Sequence, residues 1–329
     1  MRSSPLRHAI TLALLACAAI LPTKVEAQAY QYLGQWGSAG TGDGQFSGID
    51  YPISVATDAA GNVYAVDPGN HRLEKFTSTG AYVTQWGSSG TGDWQFNRPV
   101  GVGADAAGNV YVTDYNNNRI EKFTSTGAYV TQWGSSGTGN GQFNSPTGVA
   151  TDAFGNVYVS EGNRIQKFTS DGAYITRWGS FGSGSGQFNY PQSIATDASG
   201  NVYVVDSNNS RIQKFTSDGV YITQWGTFGT GNGQFAFPGG VAIDGAGNVY
   251  VADTQNHRIQ MFTSSGAYIT KWGTFGSGAG EFYFPSGLVT DTSGNIYVMD
   301  TYNYRIQKFG PMATPTKSTT WGGLKSLYR

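Results

Sequence analysis

The sequence predicts an all-β fold, a six-bladed β-propeller with four antiparallel strands per blade, and three observations carry that prediction. A proline recurs at Pro52, Pro99, Pro146, Pro191, Pro238 and Pro285, at intervals of 47, 47, 45, 47 and 47 residues. Each unit so opened holds short runs rich in β-branched and aromatic residues, separated by Gly, Asn and Ser turns. The sixth unit stops one run short, and the missing run stands alone near the N-terminus, where Tyr30 to Trp36 reads YQYLGQW.

In the unit at Pro99 the strand-like runs are Val100–Ala104, Asn109–Thr113, Arg119–Phe123 and Ala128–Trp133. Ala-Ala-Gly-Asn, Asn-Asn-Asn and Ser-Thr-Gly separate them, and these residues favour turns because they bond their own backbone or tolerate positive φ. Four strands in about 45 residues is the size of one propeller blade. No sustained 3.6-residue hydrophobic period argues for a helical repeat instead. The sixth unit contains Ser286–Val289, Ile296–Met299 and Arg305–Phe309 and then ends. Pairing residues 29–36 with residues 305–309 would put both chain ends in one blade and close the ring, where an open ring would leave ladder groups unpaired.

Composition agrees. Only 12% of the 329 residues are charged, 14% are aromatic and 48 are glycine. Residues 1–27 do not fit the repeat. Arg2, Arg7 and His8 precede the apolar run Ala9 to Leu21, and Val25-Glu26-Ala27 follows, which is the pattern of a secretory signal peptide. The expected organisation is a signal peptide at 1–27, a propeller at 28–309, and a Thr/Pro linker with a short tail at 310–329. The mature chain is expected outside the cytoplasm, secreted, periplasmic or at the cell surface, with no transmembrane segment. Cys17 is the one cysteine. Leu14-Leu15-Ala16-Cys17 resembles a lipoprotein processing box, but the apolar run continuing to Leu21 favours plain cleavage.

Two units carry Asn70-His71-Arg72-Leu73 and Asn256-His257-Arg258-Ile259, and the others keep Asn and Arg as Asn118-Arg119, Asn163-Arg164, Asn209-Ser210-Arg211 and Asn303-Tyr304-Arg305. These segments resemble the Asn-His-Leu signature of the NHL-repeat family, in its bacterial, secreted type. The resemblance spans residues 29–309 and implies a six-bladed propeller. Some relatives of this shape are lactonases or lyases, and others bind RNA or protein.

Residues present in every unit serve what every unit needs. Asp67, Asp114, Glu161, Asp206, Asp253 and Asp300 each precede an Arg across the same hairpin, so a local ion pair and turn bonds are expected. Asp58, Asp105, Asp152, Asp197, Asp244 and Asp291 precede Gly-Asn turns and are expected to accept backbone N–H groups. The repeated Trp and the Gln-Phe or Glu-Phe pairs are expected between blades. No cofactor and no metal site are expected. Beyond residue 27 the histidines are His71 and His257, at equivalent places, and the expected innermost positions are small or apolar, such as Ser54, Gly101, Gly148, Ser193 and Gly240. Residues 28–309 carry 14 Lys and Arg against 20 Asp and Glu, which repels phosphate and argues against nucleic acid.

Departures from the repeat say more about function. Trp94 replaces a glycine. Arg98 stands where other units have Tyr190, Phe237 and Phe284 before the proline, or Tyr51 and Ser145. Tyr115, Tyr302 and Tyr304 replace small polar residues between the second and third strands. These eight residues, Trp94, Arg98, Tyr115, Tyr190, Phe237, Phe284, Tyr302 and Tyr304, form the candidate binding set. The expected function is a monomeric, non-catalytic scaffold presenting an aromatic face to a protein, peptide or glycan. A propeller enzyme of the lyase or lactonase kind and a structural cell-surface protein are the alternatives.

Overall fold

The computed structural model describes residues 30–47 and 54–312. The signal-peptide segment with Cys17, Tyr51, Pro52 and the tail from residue 313 lie outside the described residues. Six four-stranded antiparallel sheets form the fold. Blade 1 contains Val55–Thr57, Val63–Asp67, Arg72–Phe76 and Tyr82–Trp86. Blades 2 to 5 repeat this plan from Pro99, Pro146, Pro191 and Gly240. In blade 2 the observed second strand is Val110–Asp114, one residue later than the sequence suggests, because Asp114 still pairs with Arg119 across the hairpin.

Blade 6 takes its strands from both ends of the chain. Pro285–Thr290, Ile296–Asp300 and Arg305–Pro311 are joined by Tyr30–Trp36 as the fourth strand, with Trp36 opposite Ile306 and Tyr30 opposite Pro311. The last strand therefore continues through Gly310 and Pro311, where the sequence suggests a linker, because Gln31 and Tyr30 pair with them. The closing strand also reaches both neighbouring blades. Tyr30 stacks on Trp272 of blade 5 at 5.3 Å, and its hydroxyl lies 2.5 Å from that of Tyr250. Trp36 packs against Phe76 of blade 1.

The core is distributed between blades, not gathered at the centre. Each hydrophobic cluster joins two neighbours, as Val55, Val63 and Phe76 of blade 1 meet Tyr297, Met299 and Ile306 of blade 6. A twisted four-stranded sheet has two apolar faces to cover, and the next blade covers one of them. The loops from fourth to first strand are Gly-rich but tightly held. Arg72 bonds Asp67 through Nε at 3.1 Å and donates to the carbonyls of Thr41, Gly42 and Gln45 at 2.7–2.8 Å. Arg119, Arg211, Arg258 and Arg305 repeat this arrangement. These acid–arginine pairs are thus clamps on the entering loop as well as hairpin pairs.

The second set of acids organises the opposite end. Asp58 accepts the N–H groups of Ala60 and Asn62, and its other oxygen accepts the Tyr64 hydroxyl at 2.8 Å. Burial alone would raise the Asp58 carboxyl, but the bonds from Asn62 and Tyr64 outweigh it and hold it below the usual range. Lys75 lies over the Tyr64 ring at 5.3 Å, and the motif recurs around the ring.

Candidate functional site

Among the described residues, two concave regions bear on ligand binding. The first is the central channel, a cavity of about 230 Å³ lined by the first strands of all six blades. Its small residues have a packing cause. A Cβ on Gly101 would stand 2.2 Å from the Thr147 carbonyl oxygen, and one on Gly240 would stand 2.2 Å from that of Ser286. The first strands crowd at Gly101 and Gly240, so these two positions need glycine whether or not a ligand enters. Several channel hydroxyls are already engaged: Thr57, Thr151, Thr196 and Thr290 each donate to a carbonyl of the neighbouring first strand at 2.7–3.1 Å.

The second region is a pocket, also about 230 Å³, on the face where the fourth-to-first and second-to-third loops meet. It spans blades 4, 5 and 6. Tyr190, Phe237, Phe284 and Tyr302 supply aromatic walls. Gln192, Asn208, Thr254 and Gln255 supply amides and a hydroxyl, and Gly239 and Gln192 are shared with the channel. Most of the polar members come from the second-to-third loops. Blades 4, 5 and 6 carry short 3₁₀ turns at Ser207–Asn209, Thr254–Asn256 and Thr301–Asn303, each closed by a left-handed residue. Blade 3 has a two-residue turn at Gly162 and Asn163, which puts Glu161 directly opposite Arg164.

The aromatic walls stand on costly backbone. Tyr190, Phe237 and Phe284 have φ of 61°, 48° and 54°, as do their counterparts Arg98 and Ser145 at 61° and 58°. Gly or Asn would sit there more cheaply. The N–H of this residue is bonded by the preceding blade: His257 Nδ1 accepts that of Phe284 at 3.2 Å, His71 Nδ1 that of Arg98 at 3.2 Å, and Asn118 Oδ1 that of Ser145 at 2.8 Å. The two histidines are therefore hydrogen-bond acceptors between blades. Burial pushes the His257 imidazole below its ordinary value, while Asp300 and Asp253 pull it back up.

The eight residues singled out from sequence separate into four places. Tyr190, Phe237, Phe284 and Tyr302 come together in the pocket. Phe284 and Tyr302 have ring centroids 5.1 Å apart. Arg98 and Tyr115 form a separate pair in blade 2, the guanidinium 5.4 Å from the ring centroid. Trp94 has left-handed backbone, φ 66°, and its indole N–H bonds the Gly127 carbonyl in the third-to-fourth turn of blade 2, away from the pocket. Tyr304 packs into the cluster between blades 6 and 1.

Sequence reasoning missed three residues. Phe181, Phe228 and Phe275 are 68%, 69% and 64% exposed in the loops entering blades 4, 5 and 6. The equivalent residues entering blades 1, 2 and 3 are Ala39, Ser89 and Ser136. Phe228 lies 6.4 Å from Phe237, and Phe275 lies 5.0 Å from the His257 ring and 5.1 Å from Tyr283. Three phenylalanines at one repeat position in consecutive units was a signal present in the sequence.

A different departure marks blades 1 and 2. Gln213, Gln260 and Gln307 each donate Nε2 to a loop carbonyl and to the blade's Asp, while Oε1 accepts a glycine N–H. Gln166 does the same in blade 3, with Glu161 as the acid. Blades 1 and 2 have Glu74 and Glu121 there, both fully buried. Burial pushes Glu74 up to about 8 and Glu121 up to about 7, with Asp67 and Asp114 adding to the rise and Arg72 and Arg119 opposing it. Among the described residues no group of three or more His, Cys, Asp or Glu stands together to hold a metal. No helix among them is long and apolar enough to cross a membrane.

Comparison with known proteins places this geometry. The NHL repeat family model matches residues 96–123, 188–215, 235–262 and 282–309, in blades 2, 4, 5 and 6. Among solved structures, the chain is similar to virginiamycin B lyase from Staphylococcus aureus, with 16% identity over 86% of this chain and 99% of that chain, TM-score 0.59. An auxiliary nutrient binding protein from Bacteroides thetaiotaomicron is similar at 16% identity, over 79% and 69%, TM-score 0.60. A gluconolactonase from Xanthomonas campestris is similar at 13% identity, over 79% and 86%, TM-score 0.60. At these identities the likeness is one of fold. No curated protein matches the chain.

Proposed function

We propose that this chain, a six-bladed β-propeller built from NHL repeats, is an exported, non-catalytic binding scaffold that presents the aromatic sector of blades 4 to 6 to a protein, peptide or glycan. The observation that carries the proposal is the pocket walled by Tyr190, Phe237, Phe284 and Tyr302, with Phe181, Phe228 and Phe275 exposed on the loops entering the same blades. Exposed aromatics beside a concave site mark binding surfaces, because they gain large buried area for little side-chain entropy. Three of the wall residues occupy left-handed backbone, which aromatic side chains do not favour, so their presence points to what the side chain does.

The Bacteroides structure similar in fold is described as a nutrient binding protein, which is consistent with a ligand-binding role. The similar lyase and lactonase keep a second reading in view, that of a propeller enzyme. The binding reading is preferred because the polar groups lining the pocket are amides and hydroxyls, with no titratable acid, base or thiol beyond the tyrosine hydroxyls.

The test is a combined peptide and glycan array probed with the purified chain and with the double variant Phe237→Ala/Tyr302→Ala. Signal that the double variant loses by tenfold or more supports the reading. Signal that survives the double variant unchanged overturns it. Export is tested by N-terminal sequencing of protein from the extracytoplasmic fraction, where a start at Gln28 is expected.

A further inference from the structure

We infer that the pocket on blades 4 to 6 takes one ring of a neutral glycan, with the following rings lying over the exposed phenylalanines beside it. The inference rests on the binding reading above and names the ligand class.

Charge is the first ground. None of the side chains lining the pocket carries a formal charge. A carboxylate, phosphate or ammonium entering it would shed water and meet no counter-charge. A nucleotide would stack its base here but leave its phosphate unpaired, and an ionic peptide side chain fares no better.

The second ground is the pairing of two chemistries in one cavity. Phe237, Phe284 and Tyr302 offer ring surfaces. Gln192 and Gln255 also line the cavity, and Thr254 Oγ1 is buried with no hydrogen-bond partner among the described residues. Gly239 leaves space beside these groups. A Cβ there would come within 2.8 Å of Thr254 Oγ1 and 3.6 Å of Gln192 Oε1. A pyranose ring has the matching make-up, with C–H faces that pack on aromatics and a rim of hydroxyls that both donate and accept. A purely apolar partner side chain would leave the buried Thr254 hydroxyl without a hydrogen-bond partner.

Size and continuation are the third ground. About 230 Å³ is below the usual range of about 300–1,000 Å³ for small-molecule pockets, so it suits a single ring. The aromatic surface does not end at the wall. Phe228 lies 6.4 Å from Phe237 on one side. On the other, the Tyr302 and Tyr283 ring centroids are 5.1 Å apart, and Phe275 is 5.1 Å beyond Tyr283. A chain of rings can therefore leave the pocket and remain in contact with aromatic faces.

The experiment is calorimetric titration of the full chain with neutral gluco-, xylo- and manno-oligosaccharides of two to six units, and with oligogalacturonate as the acidic counterpart. One of the neutral series should bind and oligogalacturonate should not. Phe237→Ala should weaken binding by about tenfold or more. Thr254→Val keeps the side-chain shape and removes a hydroxyl that no described residue uses. It should leave the melting temperature unchanged and weaken binding by about threefold or more. Val130→Ala, on the outer strand of blade 2, should change nothing. Equal binding of oligogalacturonate, or full affinity in Thr254→Val, overturns the inference. If no neutral series binds while Phe237→Ala abolishes capture of an array peptide, the glycan assignment falls and the binding face stands. If Phe237→Ala affects neither, both fall.

Discussion

Blades 4 to 6 and blades 1 to 3 share one backbone plan and differ in what they mount on it. The loops entering blades 4, 5 and 6 carry exposed Phe181, Phe228 and Phe275, where blades 1, 2 and 3 have Ala39, Ser89 and Ser136. The second-to-third loops of blades 4 to 6 also bring Asn208, Thr254, Gln255 and Tyr302 to the pocket. Blades 1 and 2 share a buried departure instead: Glu74 and Glu121 replace glutamine inside the loop clamps. The contrast teaches that the repeat sets the frame and that function is to be sought in its departures. An exposed substitution repeated in neighbouring blades builds a surface. One buried within a blade changes that blade's titration and stability.

The largest effect should come from removing the frame both sectors share. Deleting residues 29–36 takes the fourth strand from blade 6 and takes Tyr30 and Trp36 from the interfaces with blades 5 and 1. The product should be insoluble, or melt lower by about 10 °C or more, as expected when several buried aromatics and a strand are lost together. Thermal unfolding followed by circular dichroism decides it. A truncated chain that melts like the whole would mean the ring does not depend on this closure.

Exchanging the buried residues between sectors should come next. Gln260→Glu would set a carboxyl against the Gln234 carbonyl and Asp253, both acceptors. At pH 8 this should lower the melting temperature by about 4–8 °C and at pH 5 by much less, since a protonated acid can donate. Glu74→Gln should act in reverse. The Glu74 pKa is about 8 when folded against an ordinary 4.5, so the folded chain holds the proton more tightly. The stability this confers is complete below pH 4.5 and is lost as pH rises through about 8. The variant should therefore gain about 2–5 °C at pH 8 over the parent chain and flatten the pH profile of melting. Identical profiles for parent and variant would show that Glu74 ionises freely in the fold.

A smaller effect should attend acidification of the aromatic sector. His257 Nδ1 must be unprotonated to accept the Phe284 N–H, and burial holds its pKa below 6.5. The stability that depends on neutral His257 is thus present above about pH 6.5 and is lost as pH falls through the lower folded value. Ligand affinity at the pocket should decline by about threefold between pH 7 and pH 5. His257→Asn should abolish that decline, because Asn118 already plays the acceptor role for Ser145. Persistence of the decline in the variant would assign it to another group.

The smallest effect on stability should come from Phe228→Ser and Phe275→Ser, which copy the residues of blades 2 and 3. Both side chains are mainly solvent-exposed, so melting should shift by about 1 °C or less. Array binding should nevertheless drop if they extend the pocket. A stability loss of several degrees would show that they pack as core.

How much was legible in sequence follows from range. The Asp67–Arg72 clamp, the Asp58 turn and the four strands of each blade are made within one repeat, so spacing and turn chemistry disclose them. Blade number and closure were also legible, because the orphan Tyr30–Trp36 matches the strand that unit six lacks. What the tertiary structure alone decided is which departures meet. Tyr190, Phe237 and Phe284 stand a whole repeat apart in the chain and become one wall only through the angle at which blades succeed each other. The same angle leaves Arg98 with Tyr115, buries part of Tyr304 in a blade interface and keeps Phe228 exposed. A repeat written along the chain records what each blade needs for itself. Whether neighbouring side chains enclose a cavity depends on lateral packing between blades, which no single repeat encodes.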